Sequence, residues 1–600
     1  MQLSRTVLSA GVLLGALCLP APAGVDQEIA DTYIRQMAEF VAIAREDMDP
    51  AQPGVCHPEF PDDHFQTPGY VMAFLYKTAH PLNPYYGKTE IRDTAIAIAD
   101  HTAASRTTLE WSLYSVCQTA ELLADELGEE RMREYEAYAR HYVSIRGNRP
   151  YMYTSFNHDT WNALAVLRAG QVFGQPEWVE LGGRLMRQML KIQTKLGYYD
   201  EGPHHGPSLK YNQVQLAPML LFYDYTKQKD VLAAAKRLAD FMIRYSFPDG
   251  TPMSTFDGRQ NYFVGYYSPL AYGLDRWPEG KQIMHRLFET HRRRDMLDLR
   301  KPWYNLSDFY GYFGSGFLVD EYRALRAGAP AAPLPQDRDG YVLVEKAKTF
   351  NGGYLRKHDW VVAVSGIVSD VPVLQDSPYR MTRQSRLDIW HKKTGLLIGG
   401  GSTRNHVETP LANFVLVTGY KDVDCEFGRI FGGSLLDRQA LYFPRNAAVS
   451  FSEAGPVLEE NYGQGDVGFS VRPLSKTKLA IDYQYDVFQL KKLFVQLPLI
   501  VFEGSRLRVD GEELAAGASA RVRRGIELED PAMGTRVRLT VPEGEEVVIR
   551  EPVPPLRWYH EDFGQREQRW KPVYHIRLVS LRLSPPLGKG NGEFLLEIVD

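Results

Sequence analysis

The chain has 600 residues, with 69 Lys and Arg against 74 Asp and Glu, for a formal charge of −5. So even a balance excludes a general polyanion-coating protein, and any grip on an acidic ligand must be local. The length implies at least two domains, and no basic, aromatic-interleaved nucleic-acid surface is present.

Residues 1–23 read as an export signal: Arg5 supplies the positive start, 7–19 an apolar run, and Ala21-Pro22-Ala23 a small-residue cleavage site. The run is too short to span a bilayer, and Leu17 stands before Cys18 where a lipid anchor needs a small residue. No later segment is long and apolar enough for a membrane, so a secreted or periplasmic protein is expected. Cys56, Cys117 and Cys425 remain. Three cysteines make no disulfide framework and have no zinc spacing, so buried thiols are expected rather than a Cys56–Cys117 bridge.

Residues 24–326 read as helices. Leu109, Leu113, Val116, Ala120, Leu123 and Leu127 recur at three and four residues, with Gly128 as a stop. Leu181, Leu185, Met189 and Ile192 repeat the pattern, ended by Gly197. Similar stretches cover 26–45, 69–78, 90–104, 130–144, 161–173, 213–226, 230–245, 281–291 and 314–326. Short loops between them predict stacked αα-hairpins, and aromatic-rich loops favour an (α/α) toroid closed around a cleft. Residues 327–339 form an Ala/Pro linker. Beyond it, 340–600 turns to period two: 341–344, 360–364, 414–418 and 536–541 read as strands of an antiparallel β-sandwich.

Four residues stand out within the helical part: Asn157, His205, Tyr211 and Arg259, at intervals of 48, 6 and 48 residues. The long intervals match one helical hairpin. An amide, an imidazole, a phenol and a guanidinium suit removal of the proton beside a sugar carboxylate. A second negative charge must develop there, and donors such as Asn157 and Arg259 would stabilise it. His205 needs no tuning to act as base near neutral pH, and Tyr211 suits either acid or base. Gly-Pro turns on both sides of His204-His205 argue for a fixed display. His158 rivals His205, and Asp159 suits the orienting of either imidazole. His158, Trp161, His204, Lys210, Asn212, Trp303 and Tyr304 are the candidate substrate contacts, the last two on an aromatic loop at 301–312; Trp111 reads as core.

No cofactor fingerprint is present. Asp388, His391 and His406 do not make a specified metal triad, since alternation puts Asp388 and Trp390 on one strand face and His391 on the other. A toroid glycoside hydrolase remains open, because Asp159, Asp200, Glu201 and Asp257 offer carboxylate pairs. So does a non-catalytic glycan-binding protein.

At the four residues the chain resembles the toroid polysaccharide lyases, above all the chondroitin AC and hyaluronate lyases. The resemblance covers Asn157, His205 in Asp200-Glu-Gly-Pro-His-His205, Tyr211, and Arg259 in Gly258-Arg259. It implies an (α/α) toroid followed by a β-sandwich, an acidic polysaccharide as partner, and β-elimination at a uronic acid. In that family Tyr moves the proton while Asn and His neutralise the carboxylate. Here His158-Asp159-Thr160 intervene before Trp161 where the family has a Trp pair, and Phe263 stands near the place of a second Arg. The run Trp390-His391-Lys-Lys-Thr-Gly395 looks more like the sandwich of heparinase II/III-type lyases.

Overall fold

The computed structural model describes residues 24–48, 51, 54–55, 68–147, 156–200, 206–256, 273–295, 297–299, 316–326, 331–347, 350–366, 386–399, 413–417, 440–441, 444–490, 492–515, 517–550 and 576–599. Eleven α-helices among them come first: α1 (Val25–Asp47), α2 (Gly69–Lys77), α3 (Thr89–Ser105), α4 (Glu110–Leu122), α5 (Glu129–Arg146), α6 (Phe156–Val172), α7 (Pro176–Ile192), α8 (Leu209–Thr226), α9 (Lys229–Arg244), α10 (Pro278–Arg293) and α11 (Phe317–Ala324). They alternate between two layers. α2, α4, α6 and α8 pack on one another in turn, and α3, α5, α7 and α9 back onto them.

The residue pattern explains this division. α4 buries every residue from Glu110 to Ala120, as an inner helix surrounded by others must. α7 and α9 bury single stripes instead, Trp178, Leu181, Met186 and Met189 on one and Val231, Ala234, Leu238 and Met242 on the other. Gly182 sets the close approach of α7 to α6, because a Cβ there would lie 2.8 Å from the Ala163 carbonyl oxygen. The stripe expected to run to Leu127 is shorter as a helix. α4 ends at Leu122, and Gly128 precedes α5 rather than stopping α4; Leu123 and Leu127 are buried from the intervening turns.

α1 touches α2, α10 and α11, so the last helix returns to the first. A buried polar network closes the ring. Asp320 of α11 accepts from Tyr70 of α2 at 2.8 Å and from Tyr114 of α4 at 3.1 Å. Gln118 of α4 donates to the Tyr225 hydroxyl of α8 at 3.0 Å, and Arg168 of α6 donates to Gln118 at 3.0 Å. Arg323 of α11 donates to Tyr70 at 3.1 Å. Burial drives the Asp320 carboxyl up to about 7, against the pull of Tyr70, Arg323, Tyr114 and Arg168.

The strands follow in two antiparallel sheets. One, of eleven strands, runs in the order Val342–Ala347, Phe350–Lys357, Trp360–Ser365, Arg386–His391, Gly395–Ile398, Lys492–Phe502, Ile576–Leu583, Val547–Arg550, Ser519–Val522, with Phe414–Val417 and Ala440–Leu441 off this path. The other has nine strands, with Lys478–Val487 and Gly588–Val599 at its centre. Their facing sides share one core, including Leu387, Ile389, Leu497, Ile481 and Phe594. The outer face of the larger sheet meets the helices: Tyr198, Leu209, Phe241, Tyr245 and Phe256 pack with Phe350, Tyr354, Trp390 and Phe502. Covered on both sides, Trp360–Ser365 is buried at every residue, so its sequence is a continuous apolar run rather than an alternation.

The described part of the Ala/Pro stretch is fastened to the helices. Gln336 is fully buried and donates to the Ile243 and Ser246 carbonyls at 3.0 and 2.9 Å. Arg286 forks onto Asp337 at 2.6 and 2.8 Å.

Candidate active site

α4, α6 and α8 lie side by side and point the same way. His158 near the start of α6 bonds Glu110 at the start of α4, while Arg168 deeper in α6 reaches Gln118 deeper in α4. The inner-helix N-termini therefore gather at one end of the toroid. The sandwich packs against that same end, since the shared core takes in Leu209 at the start of α8 and Tyr198 just before it.

The register of α6 on α8 follows from a proline. Pro218 inside α8 has no N–H to give the Val214 carbonyl one turn back. That carbonyl accepts from the indole Nε1 of Trp161 at 3.1 Å. Gln215 Nε2 also donates to Thr160 Oγ1. Asn157 and Tyr211 each lie one turn nearer the helix starts than these braces. Packed helices sit about 8–10 Å apart, so the two side chains start from neighbouring helices at one level of the ring. Asn157 is buried, Tyr211 is half-buried, and His158 keeps 28% of its side chain exposed.

Two expected substrate contacts have other tasks. Trp161 is fully buried, stacked on Phe317 with ring centroids 4.8 Å apart, and acts as the α6–α8 brace. The Asn212 amide is engaged with the backbone: its Oδ1 accepts from the Tyr199 N–H at 2.7 Å, and its Nδ2 donates to the Tyr199 and Ser208 carbonyls at 3.0 and 2.7 Å. Asn212 thus anchors the start of α8. With the bridge between Asp200 and Pro207, it brings together the two ends of the segment that carries His204 and His205. Those two histidines, Arg259, Trp303 and Tyr304 lie outside the described residues, as does the Lys210 side chain. The chain leading to Arg259 is held by the sandwich up to Phe256. Ser254 Oγ and the Thr255 N–H donate to Asp388 at 2.9 and 2.7 Å, and Thr255 Oγ1 meets Ser365 Oγ at 2.9 Å.

Asp388 therefore anchors the segment after α9 to the larger sheet. His391, on the other side of the same strand, shares a 2.9 Å hydrogen bond with the Lys476 carbonyl, and burial lowers it to about 4; His406 lies outside the described residues. No group of three or more metal-ligating side chains occurs among the described residues, and no helix there is long and apolar enough to cross a membrane. Cys117 is a buried free thiol pushed up to about 12 by desolvation, so it is a poor nucleophile.

Glu110 is the site residue that sequence reading missed. It stands 48 residues before His158, the same hairpin interval that separates Asn157 from His205.

A double ring of helical hairpins, capped at its inner-helix N-termini by a two-sheet antiparallel domain, is the fold of the toroid polysaccharide lyases. The chain is similar over 95% of its length, and 79% of the other's, to a chondroitin AC lyase of Streptomyces coelicolor A3 solved with chondroitin sulphate, at 15% identity and a TM-score of 0.55. A chondroitinase AC lyase solved with oligosaccharides matches over 96% of this chain and 83% of that one, at 10% identity and a TM-score of 0.51. At these identities the likeness is one of fold. No protein-family model and no curated protein sequence matches the chain.

Proposed function

We propose that the protein is a polysaccharide lyase that cleaves a uronic-acid-containing glycosaminoglycan or related polymer by β-elimination. The observation that carries this reading is the placement of Asn157, His158 and Tyr211 on adjoining N-termini of parallel inner helices, within a lyase-type fold. The Asn157 amide and the His158 imidazole bind the uronate carboxylate and stabilise the charge that develops on it. Arg259 adds a cationic fork to the same group. Tyr211 takes the proton from the carbon beside the carboxylate, with His205 assisting. Electrons from that C–H bond form the new C=C bond as the C–O bond to the next sugar breaks. The departing oxygen takes up a proton, and an unsaturated uronate remains at the new non-reducing end.

A positioned proton transfer is worth roughly 10²–10⁴ in rate, so Tyr211→Phe should lose at least that factor. A panel of polyuronates and glycosaminoglycans, followed by the ultraviolet absorbance of the conjugated uronate, tests the proposal. Absorbance growing with at least one polymer supports it. Release of reducing ends without the chromophore would sink it and favour a hydrolase.

A further inference from the structure

Glu110 opens α4 and is 5% exposed. A carboxylate so placed costs several kcal/mol unless it is paired and hydrogen-bonded. Its partner is the Nδ1 of His158. As a carboxylate Glu110 can only accept, and in that pairing Nδ1 is the donor. The second ring nitrogen, Nε2, then lies on the side of the ring away from Glu110, in a side chain that is 28% exposed. Trp111 limits rotation of the imidazole, with ring centroids 5.1 Å apart and planes tilted by 40°.

The other ionisable groups around the pair come from α5 and α6. Tyr138 donates to the Thr107 carbonyl at 3.0 Å and Tyr142 to Asn162 Oδ1 at 2.8 Å; burial holds both phenols neutral. Arg146 donates to the Thr108 carbonyl at 3.1 Å. Asp159, the next residue of α6, acts on the Tyr142 phenol. The buried Glu110 carboxylate against the ring favours its protonated form.

We propose that Glu110 is a positioning residue that keeps His158 doubly protonated, so that an imidazolium and not a neutral ring meets the uronate carboxylate beside Asn157. This rests on the lyase reading for its substrate, but the ion pair itself does not. A cation beside the carboxylate lowers the cost of the second negative charge during proton removal, which an amide dipole can do only in part.

The first test uses the unliganded full chain with its histidines isotopically labelled and His158 assigned from a His158→Gln variant. The His158 resonance should titrate well above the free-histidine value of about 6.5. In Glu110→Gln it should titrate lower by about one pH unit or more. Glu110→Asp, which keeps the charge, should restore most of the difference. Titration of wild-type His158 at or below the free-histidine value overturns the inference, even if Glu110→Gln fails to fold. The second test is the pH profile of kcat/KM. The alkaline limb should move to lower pH in Glu110→Gln, with the loss of rate largest above neutrality. An equal loss at every pH would mean a purely structural role and overturn the proposal. If the wild type releases no unsaturated product, the lyase reading fails, while the titration still decides the pair.

Discussion

Asp320→Asn probes the polar network that closes the helical ring. In the unfolded chain this carboxyl titrates near 3.8, and in the folded protein at about 7 because it is fully buried. Between those values the folded state keeps a proton that the unfolded state releases. The stability from this group is therefore fully present below the unfolded value and is lost as pH rises through the folded one. At about 1.4 kcal/mol per pH unit, the ionised carboxylate costs on the order of 4 kcal/mol. Asparagine copies the shape of the protonated acid and still accepts from Tyr70, but it cannot ionise. Wild type and variant should be about equally stable near pH 4. At about pH 8 the variant should be the more stable, by up to about 4 kcal/mol less whatever Arg323 loses with its counter-charge. Urea unfolding followed by helical ellipticity at three pH values measures this. Asp275, raised by burial to about 6, and His391, lowered by burial to about 4, titrate in both proteins, so the difference between them isolates residue 320. A difference that does not change with pH, or a variant that loses stability at alkaline pH, would refute the reasoning.

Trp161→Phe removes the donor that satisfies the Val214 carbonyl and should cost about 1–3 kcal/mol. Part of that loss should vanish in a Pro218→Ala background, where the helix supplies the missing N–H; additive losses in the double mutant would contradict the brace. Asn212→Ala should lower stability and kcat together, because it frees the start of α8, and an effect on KM alone would instead make Asn212 a substrate contact. Asp388→Ala should loosen the junction between helices and sandwich and cost about 2 kcal/mol or more, since it strands the Ser254 and Thr255 donors; a change smaller than about 0.5 kcal/mol would show the anchor to be idle. His391 binds its proton less readily folded than unfolded. It should therefore contribute stability that is present above about 6.5 and is lost as pH falls towards 4, and His391→Phe should remove that acid-side loss.

Much of the architecture was legible because periodicity reports burial. The three-and-four stripe of α7 and the strand at 536–541 are one-sided elements, and each appears close to where its pattern falls. Elements buried all round were harder to read. α4 buries the polar residues Glu110, Ser112, Ser115, Gln118 and Thr119 among apolar ones, and Glu110 and Gln118 hydrogen-bond to neighbouring helices. Its leucine stripe therefore overran the true end. Of the four residues picked by type and spacing, Asn157 and Tyr211 fall on neighbouring inner helices, while His205 and Arg259, through which the 48-residue intervals run, lie outside the described residues. Exposure was not legible. Trp161 and Asn212 carry the polar handles of sugar-binding residues, but both handles serve the backbone, through a carbonyl freed by Pro218 and through the turn before α8. Glu110 was missed because a lone glutamate at a helix start reads as a favourable charge for the helix dipole. Only the fold shows that it faces His158.

The central claim is elimination rather than hydrolysis, and product mass after digestion in heavy-oxygen water tests it most directly. With an acidic polymer that the protein degrades, the account expects each cleavage to give a fragment one water lighter than its hydrolytic counterpart. No heavy oxygen should enter it, and Tyr211→Phe should stop its formation. Fragments carrying one heavy oxygen per cleavage, formed as readily by Tyr211→Phe, would contradict the account.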